Sequence, residues 1–152
     1  MTKIKEFRGD NYYLSNFYDA PVMFEGIMYL NNEAAFQAAK LKDNQTRCPK
    51  TRLMRKDFST MPPNIAKRNG RRITLRADWE TVKDSVMAAV VNDKFTRNTK
   101  LQDKLIATGD TELFEGNSWN DRYWGVDIKT GAGKNTLGQI IMAERNNLKG
   151  GI

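Results

Sequence analysis

Glu33, Gln37 and Lys40 stand at i, i+4 and i+7 in Glu33-Ala-Ala-Phe-Gln-Ala-Ala-Lys40. On a helix that spacing confines them to a stripe roughly 60° wide. The other residues are Ala or Phe, so the segment is predicted to be buried on most sides and to show a narrow polar edge to a cavity. The 152-residue chain contains no His, which removes the commonest general base, the commonest zinc ligand and every Ser-His or Cys-His arrangement. Acid–base work and nucleophilic attack therefore fall to carboxylates, Lys or Tyr, with Glu33 and Lys40 as candidates. The helix dipole also favours Glu in a first turn and Lys near a last one, so spacing alone keeps the ordinary helix-end reading open.

A second group of chemical residues lies in Glu115-Gly-Asn-Ser-Trp-Asn-Asp-Arg-Tyr-Trp-Gly-Val126. Trp119 and Trp124 are too large and too close for one strand face, and the polar residues between them would each need a buried partner. Aromatic walls with a few placed polar groups describe a small-molecule or nucleobase pocket, in which Asp121 is a catalytic or ribose-binding carboxylate. The alternative is a strand, a turn and a strand whose Trp rings cap the core.

Charge is unevenly placed. Residues 40–76 hold twelve Lys and Arg against Asp43 and Asp57, a net +10, which leaves −3 for the rest of a chain whose total is +7. Such a block suits an anionic partner, with phosphate the obvious anion, or else forms a solvated basic face. One cysteine, Cys48, excludes an internal disulfide and agrees with a reducing compartment. No apolar run reaches the length of a membrane span, so the expected location is the cytoplasm. A transition-metal site is not expected. Carboxylates for magnesium stay open, but no metal or cofactor is assigned.

The elements that must position these residues follow from pattern. Glu25-Gly26 reads as a hairpin turn between short apolar runs. Asn31 and Asn32 offer N-caps for a helix over 33–40, and Pro49, Pro62 and Pro63 break the basic block into short helices and loops. Asp78 is predicted to cap a long helix on which Trp79, Val82, Val86 and Val90 share a face. A short helix over 101–107 ends at Gly109, strands over 112–117 and 123–128 flank the Trp-rich segment, and a last helix runs over 135–148, with Leu137, Ile140, Ile141 and Leu148 inward. The expectation is one α+β domain over residues 1–152, mostly helical, with a small antiparallel sheet.

Taken in order, Leu14-Ser-Asn-Phe-Tyr18, Ala20-Pro-Val22, Glu33 with Phe36-Gln-Ala-Ala-Lys40, Arg76-Ala-Asp-Trp79, Val86-Met87, Thr108-Gly-Asp110, Glu115 to Asp121, Trp124-Gly-Val126, Asn135-Thr-Leu-Gly138, Met142 and Arg145 resemble the YbiA/NADAR family. The match spans nearly the whole chain. Members commonly carry His after the helix-start Glu, where this chain has Ala34; the Glu itself is kept. The resemblance implies an N-glycosidase of α+β fold that cleaves a C–N bond at the anomeric carbon of a ribose. Its substrates would be either ADP-ribosylated guanine or ribosylamino intermediates of the riboflavin pathway.

Cleavage of that bond develops positive charge on the sugar. Glu33 would activate water or steady the cation, and Asp121 would bind ribose hydroxyls or share the acid–base work, with the two roles interchangeable. Lys40 offers a Schiff-base route. Trp79, Trp119 and Trp124 would be pocket walls, each worth about 1–3 kcal/mol of base stacking, with Asn16, Phe17, Gln37 and Asn117 lining the same pocket. Trp79 could equally anchor its helix in the core. The basic block favours nucleic acid over a metabolite, with DNA preferred to RNA, which would reverse a toxin's modification as an antitoxin or phage counter-defence. No obligate protein partner is inferred. A non-catalytic reader of ADP-ribose or nucleic acid is the alternative from another class.

Overall fold

In the computed structural model, which describes residues 2–150, the chain runs through β1 (Lys3–Ile4), a 3-10 turn (Gly9–Leu14), β2 (Asp19–Phe24), β3 (Ile27–Asn31) and α1 (Asn32–Ala38). A second 3-10 turn (Arg55–Thr60) leads to α2 (Pro63–Gly70), α3 (Trp79–Arg97) and α4 (Thr99–Ala107). The strands β4 (Glu112–Leu113), β5 (Gly116–Asn117) and β6 (Val126–Asp127) precede α5 (Thr136–Gly150). The class is α+β, dominated by helix. The chain separates into two compact units: Asn16–Asn98, and the segments up to Ser15 and from Thr99 onward. No helix among the described residues is long and apolar enough to cross a membrane.

The central unit is built on the hairpin β2–β3. Glu25 and Gly26 both take positive φ, 46° and 86°, which is the turn whose twist matches antiparallel strands. It sets the register Val22↔Tyr29 and Phe24↔Ile27. Ala20, Val22 and Tyr29 consequently point inward and are fully or almost fully buried, together with Val86, Met87, Val90, Val91 and Phe95 of α3. Arg55, 2% exposed, ties the hairpin turn to the exit of α1. Its guanidinium donates to Glu25 Oε1 (2.8 Å), Leu41 O (2.9 Å), Asn44 Oδ1 (3.2 Å) and Lys42 O (3.3 Å). One cation of the basic block is thus internal structure rather than surface charge.

In the second unit, Leu101 and Leu105 of α4, Leu137 and Ile141 of α5 and Leu113 of β4 are buried, while Ile140 and Leu148 are only half-buried. Arg145 of α5 donates to Thr108 Oγ1 (2.9 Å) and Thr111 O (2.8 Å), which fixes the turn after α4. The antiparallel ladder expected of the sheet is the β2–β3 hairpin alone; β1–β4 and β5–β6 are parallel two-residue pairs. The strand expected over 112–117 is broken because the segment changes partners. Phe114 N–H donates to Ile4 O (2.8 Å), Glu115 N–H to Asn135 Oδ1 (3.0 Å), and Glu115 O then accepts from Val126 N–H (2.9 Å). The strand expected over 123–128 shrinks likewise, since 122–124 form a turn.

Asp78 occupies the N-cap of α3, but its carboxylate makes no cap bond; both oxygens are taken by Arg76, at 2.6 and 3.1 Å. Further along α3, Lys94 continues the Val86–Val90 row into the interior and is 1% exposed, near the rings of Phe95 (5.2 Å) and Tyr18 (5.6 Å). Burial pushes its ammonium down to about 7. Between that value and the ordinary lysine range the unfolded chain binds a proton that the native one lacks, so this residue makes stability rise with pH across the window. Lys94→Met should therefore raise the urea midpoint at pH 7 and differ little from wild type at pH 10. A variant equally shifted at both values would contradict the assignment.

Candidate active site

Helix α1 begins where two asparagines, Asn31 and Asn16, accept from its free N–H groups. Asn31, with extended backbone, accepts from Ala34 N–H through Oδ1 (2.7 Å) and donates to Met61 O through Nδ2 (3.1 Å). Asn32 Nδ2 donates to Asn16 Oδ1 (3.2 Å), and Asn16 O accepts from Glu33 N–H (3.0 Å). Asn16 therefore grips the first turn by both side chain and backbone. Every residue of the helix is buried, Glu33 and Gln37 included, at 8% and 5% exposure.

The helix stops at Ala38, two residues short of the expected end. Lys40 N–H turns back to Gln37 O (3.1 Å), and Lys40 O accepts from Arg76 N–H (2.8 Å), which takes the carbonyl that another helical turn would use. Lys40 thus leaves α1 on a tight turn, half-buried, its Nζ 5.9 Å from the centre of the Phe36 ring and 6.0 Å from that of Trp79. Those rings meet at 5.0 Å and 58°, with Trp79 only 5% exposed, so Trp79 anchors α3 against α1 and also faces the amine. Burial lowers the Lys40 pKa; Glu33 acts against that, and Arg71 and Lys67 act with it. The amine is consequently biased toward its nucleophilic neutral form.

Two residues absent from the sequence reading join this group. Lys67 and Arg71, four apart at the end of α2, both bear on Lys40, and Lys67 Nζ sits 5.7 Å over the Phe17 ring. Their i, i+4 spacing inside the basic block was the available signal. Gln37 lies against Gly70 of α2, where any Cβ would run into its side-chain amide. Its Oε1, like Asn32 Oδ1, is buried without a hydrogen-bond donor among the described residues. A buried acceptor left in that state costs about 1–3 kcal/mol.

The other unit holds the Trp-rich residues. Asn117, 2% exposed, donates to Glu115 Oε2 (2.8 Å) and Asp121 O (2.9 Å) and accepts from Asp121 N–H (3.0 Å). Asp121 Oδ1 in turn accepts from Tyr123 N–H (3.2 Å) and Trp124 N–H (3.0 Å), so the carboxylate shapes its own turn. Trp124 packs edge-on against Tyr123 at 4.9 Å, whereas Trp119 is 52% exposed. Gly125 is obligatory here, because a Cβ would strike Glu115 and Asn117.

The central unit thus buries the whole of α1, Glu33 and Gln37 included, with Lys40 on the turn after it, and the other unit locks a Trp-rich turn through Asn117 and Asp121. The chain belongs to the NADAR domain family, whose model matches residues 4–149. Among its relatives, the N-glycosidase YbiA of Escherichia coli K12 is 36% identical over 136 residues, 88% of this chain and 79% of that protein. A riboflavin biosynthesis protein of Vibrio vulnificus is 36% identical over 139 residues, 90% of this chain but only 35% of its own length. The NMR structure of E. coli YbiA matches with a TM-score of 0.79 at 32% identity, covering 98% of this chain and 87% of that one.

If the Gly70 contact is what seats Gln37, Gly70→Ala should cost about 1–3 kcal/mol in the wild-type background and clearly less beside Gln37→Ala. Urea denaturation of the four proteins in that cycle checks it; additive losses would show that Gly70 is needed for another reason.

Proposed function

We propose that this protein is an N-glycosidase that releases ADP-ribose from guanine bases of nucleic acid, the reversal of a toxin's modification. The observation that carries the reading is the single buried edge on which Glu33 and Lys40 influence one another beside Phe36 and Trp79. The relatives named N-glycosidase support the reaction class. When the C–N bond breaks, its electron pair leaves with the base and the anomeric carbon becomes cationic. Glu33 steadies that charge or takes a proton from the attacking water. Alternatively, the neutral Lys40 amine attacks the anomeric carbon, expels the base and forms a Schiff base with the opened ribose, which water then hydrolyses.

Lys67 and Arg71 suit the pyrophosphate of ADP-ribose. The exposed cations Lys50, Lys56, Arg68 and Arg72 suit a phosphate backbone, which rewards many positive charges where a small metabolite needs one or two. Asp121 has a supporting part: Asp121→Asn keeps an oxygen for its turn, so the kinetic effect of this change isolates the carboxylate charge. A second reading, hydrolysis of ribosylamino riboflavin intermediates, is favoured by the name of the Vibrio relative.

Mass spectrometry of products from an ADP-ribosylated guanine oligonucleotide, run beside such an intermediate, tests the choice. Free ADP-ribose with restored guanine is expected; release only from the metabolite would select the second reading, and binding without release would make the protein a reader. Borohydride added during turnover should trap a covalent adduct on Lys40 if the Schiff-base route operates. Absence of the adduct would leave direct hydrolysis.

A further inference from the structure

We propose that the unit formed by the terminal segments carries a separate binding platform for single-stranded nucleic acid, between β1 and the loop after β6. Segment 112–117 pairs with β1 along its first half and with β6 along its second. Lys3 and Lys5 from the first segment, Phe114 from the break between β4 and β5, and Val126 and Ile128 from β6 and the loop after it come together at one groove. These residues line a groove of about 410 Å³ with Lys129 on its rim, a volume within the range that takes a small ligand such as one nucleotide.

The floor is apolar and partly aromatic: Phe114 is half-buried and Ile128 is 39% exposed. Gly116 permits the close approach of the Lys5 backbone, since a Cβ there would strike Lys5 O and meet Ile128 Cγ1 at 3.4 Å. Lysines outnumber carboxylates around the groove, Lys3, Lys5 and Lys129 against Asp127 in the lining and Glu112 opposite Lys3 in the register. Lys3, Lys5 and Lys129 are exposed, with Lys3 Nζ 5.7 Å from the Phe114 ring centre. The acid of the groove, Asp127, is occupied: Oδ1 accepts from Lys129 N–H (2.8 Å) and Thr130 N–H (3.0 Å), and Oδ2 lies 3.8 Å from Arg122. An apolar floor holding Phe114, with lysines from two segments, fits a base laid on Phe114 and phosphates running past the lysines, a combination indifferent to base identity. This goes beyond the glycosidase reading, because the platform needs no modified base and uses none of the residues assigned to bond cleavage.

Fluorescence anisotropy with unmodified fluorescein-labelled dT15 tests it. Lys3→Gln/Lys5→Gln should weaken binding about tenfold at low salt and lower the slope of log Kd against log salt by about 1.4, two phosphate contacts on a single strand. A control that removes the same charge from α4, Lys100→Gln/Lys104→Gln, should bind like wild type. An oligonucleotide carrying 5-iodouracil should photo-cross-link to the peptide containing Phe114 or Ile128. Unchanged affinity in the β1 variant, equal loss in the control, cross-links confined to other peptides, or dTMP binding as tightly as dT15 would each overturn the proposal. Hydrolysis of ADP-ribosylated guanosine by the β1 variant, measured alongside, keeps the outcome separate from that of the glycosidase reading.

Discussion

Helix α1 has no solvent face, and the organisation of the central unit follows from that constraint. A seven-residue helix cannot form on propensity alone. Its first N–H groups must be satisfied from outside, by Asn31 and Asn16, and its last carbonyls by the turn that follows, where Ala39, Lys40 and Leu41 N–H donate to Ala35, Gln37 and Ala38 O. Its small residues let neighbours approach until Ala34, Ala35, Ala38 and Ala39 are wholly buried. Once those contacts are made, Glu33 and Gln37 have been carried inside, where a carboxylate and an amide are costly unless something uses them. Lys40, leaving on the final turn, is placed where its amine feels Glu33, Lys67 and Arg71 together.

Burial also shifts the protonation balance of Lys40. In water a lysine amine is almost wholly protonated at neutral pH and a glutamate is a weak base. Burial of Lys40 disfavours its ammonium, Glu33 opposes that effect, and Arg71 and Lys67 add to it. Arg55, spent on Glu25 and on the carbonyls of Leu41 and Lys42, holds the segment after Lys40 in place. The basic block thus has two parts, one building the site from within and one facing solvent.

Much of this was legible in the sequence because the signals were local. The Glu25-Gly26 turn, the Asn31 cap, the apolar row of α3 and the narrow polar edge of α1 each rest on a few neighbouring residues whose physics does not depend on the rest of the fold. What was hidden depended on distant partners. Nothing near Asp78 says that Arg76 will claim its carboxylate instead of the helix N-terminus, and nothing near Arg55 marks it as interior. The break in 112–117 arises because Ile4, Asn135 and Val126 compete for consecutive backbone groups. Lys94 was within reach, since it sits four residues after Val90 on the row already read as core, but a lysine there breaks the expected chemistry rather than the spacing.

The central claim is that the carboxylate on this buried helix edge does the chemistry and is not only a helix-end residue. The most direct measurement is the turnover of Glu33→Gln at saturating ADP-ribosylated guanosine, with substrate affinity measured in parallel by calorimetry. Loss of about a hundredfold or more in kcat with affinity within a fewfold of wild type is the expected result. A kcat close to that of wild type would contradict the account, because the amide keeps the shape of the side chain and removes only its charge.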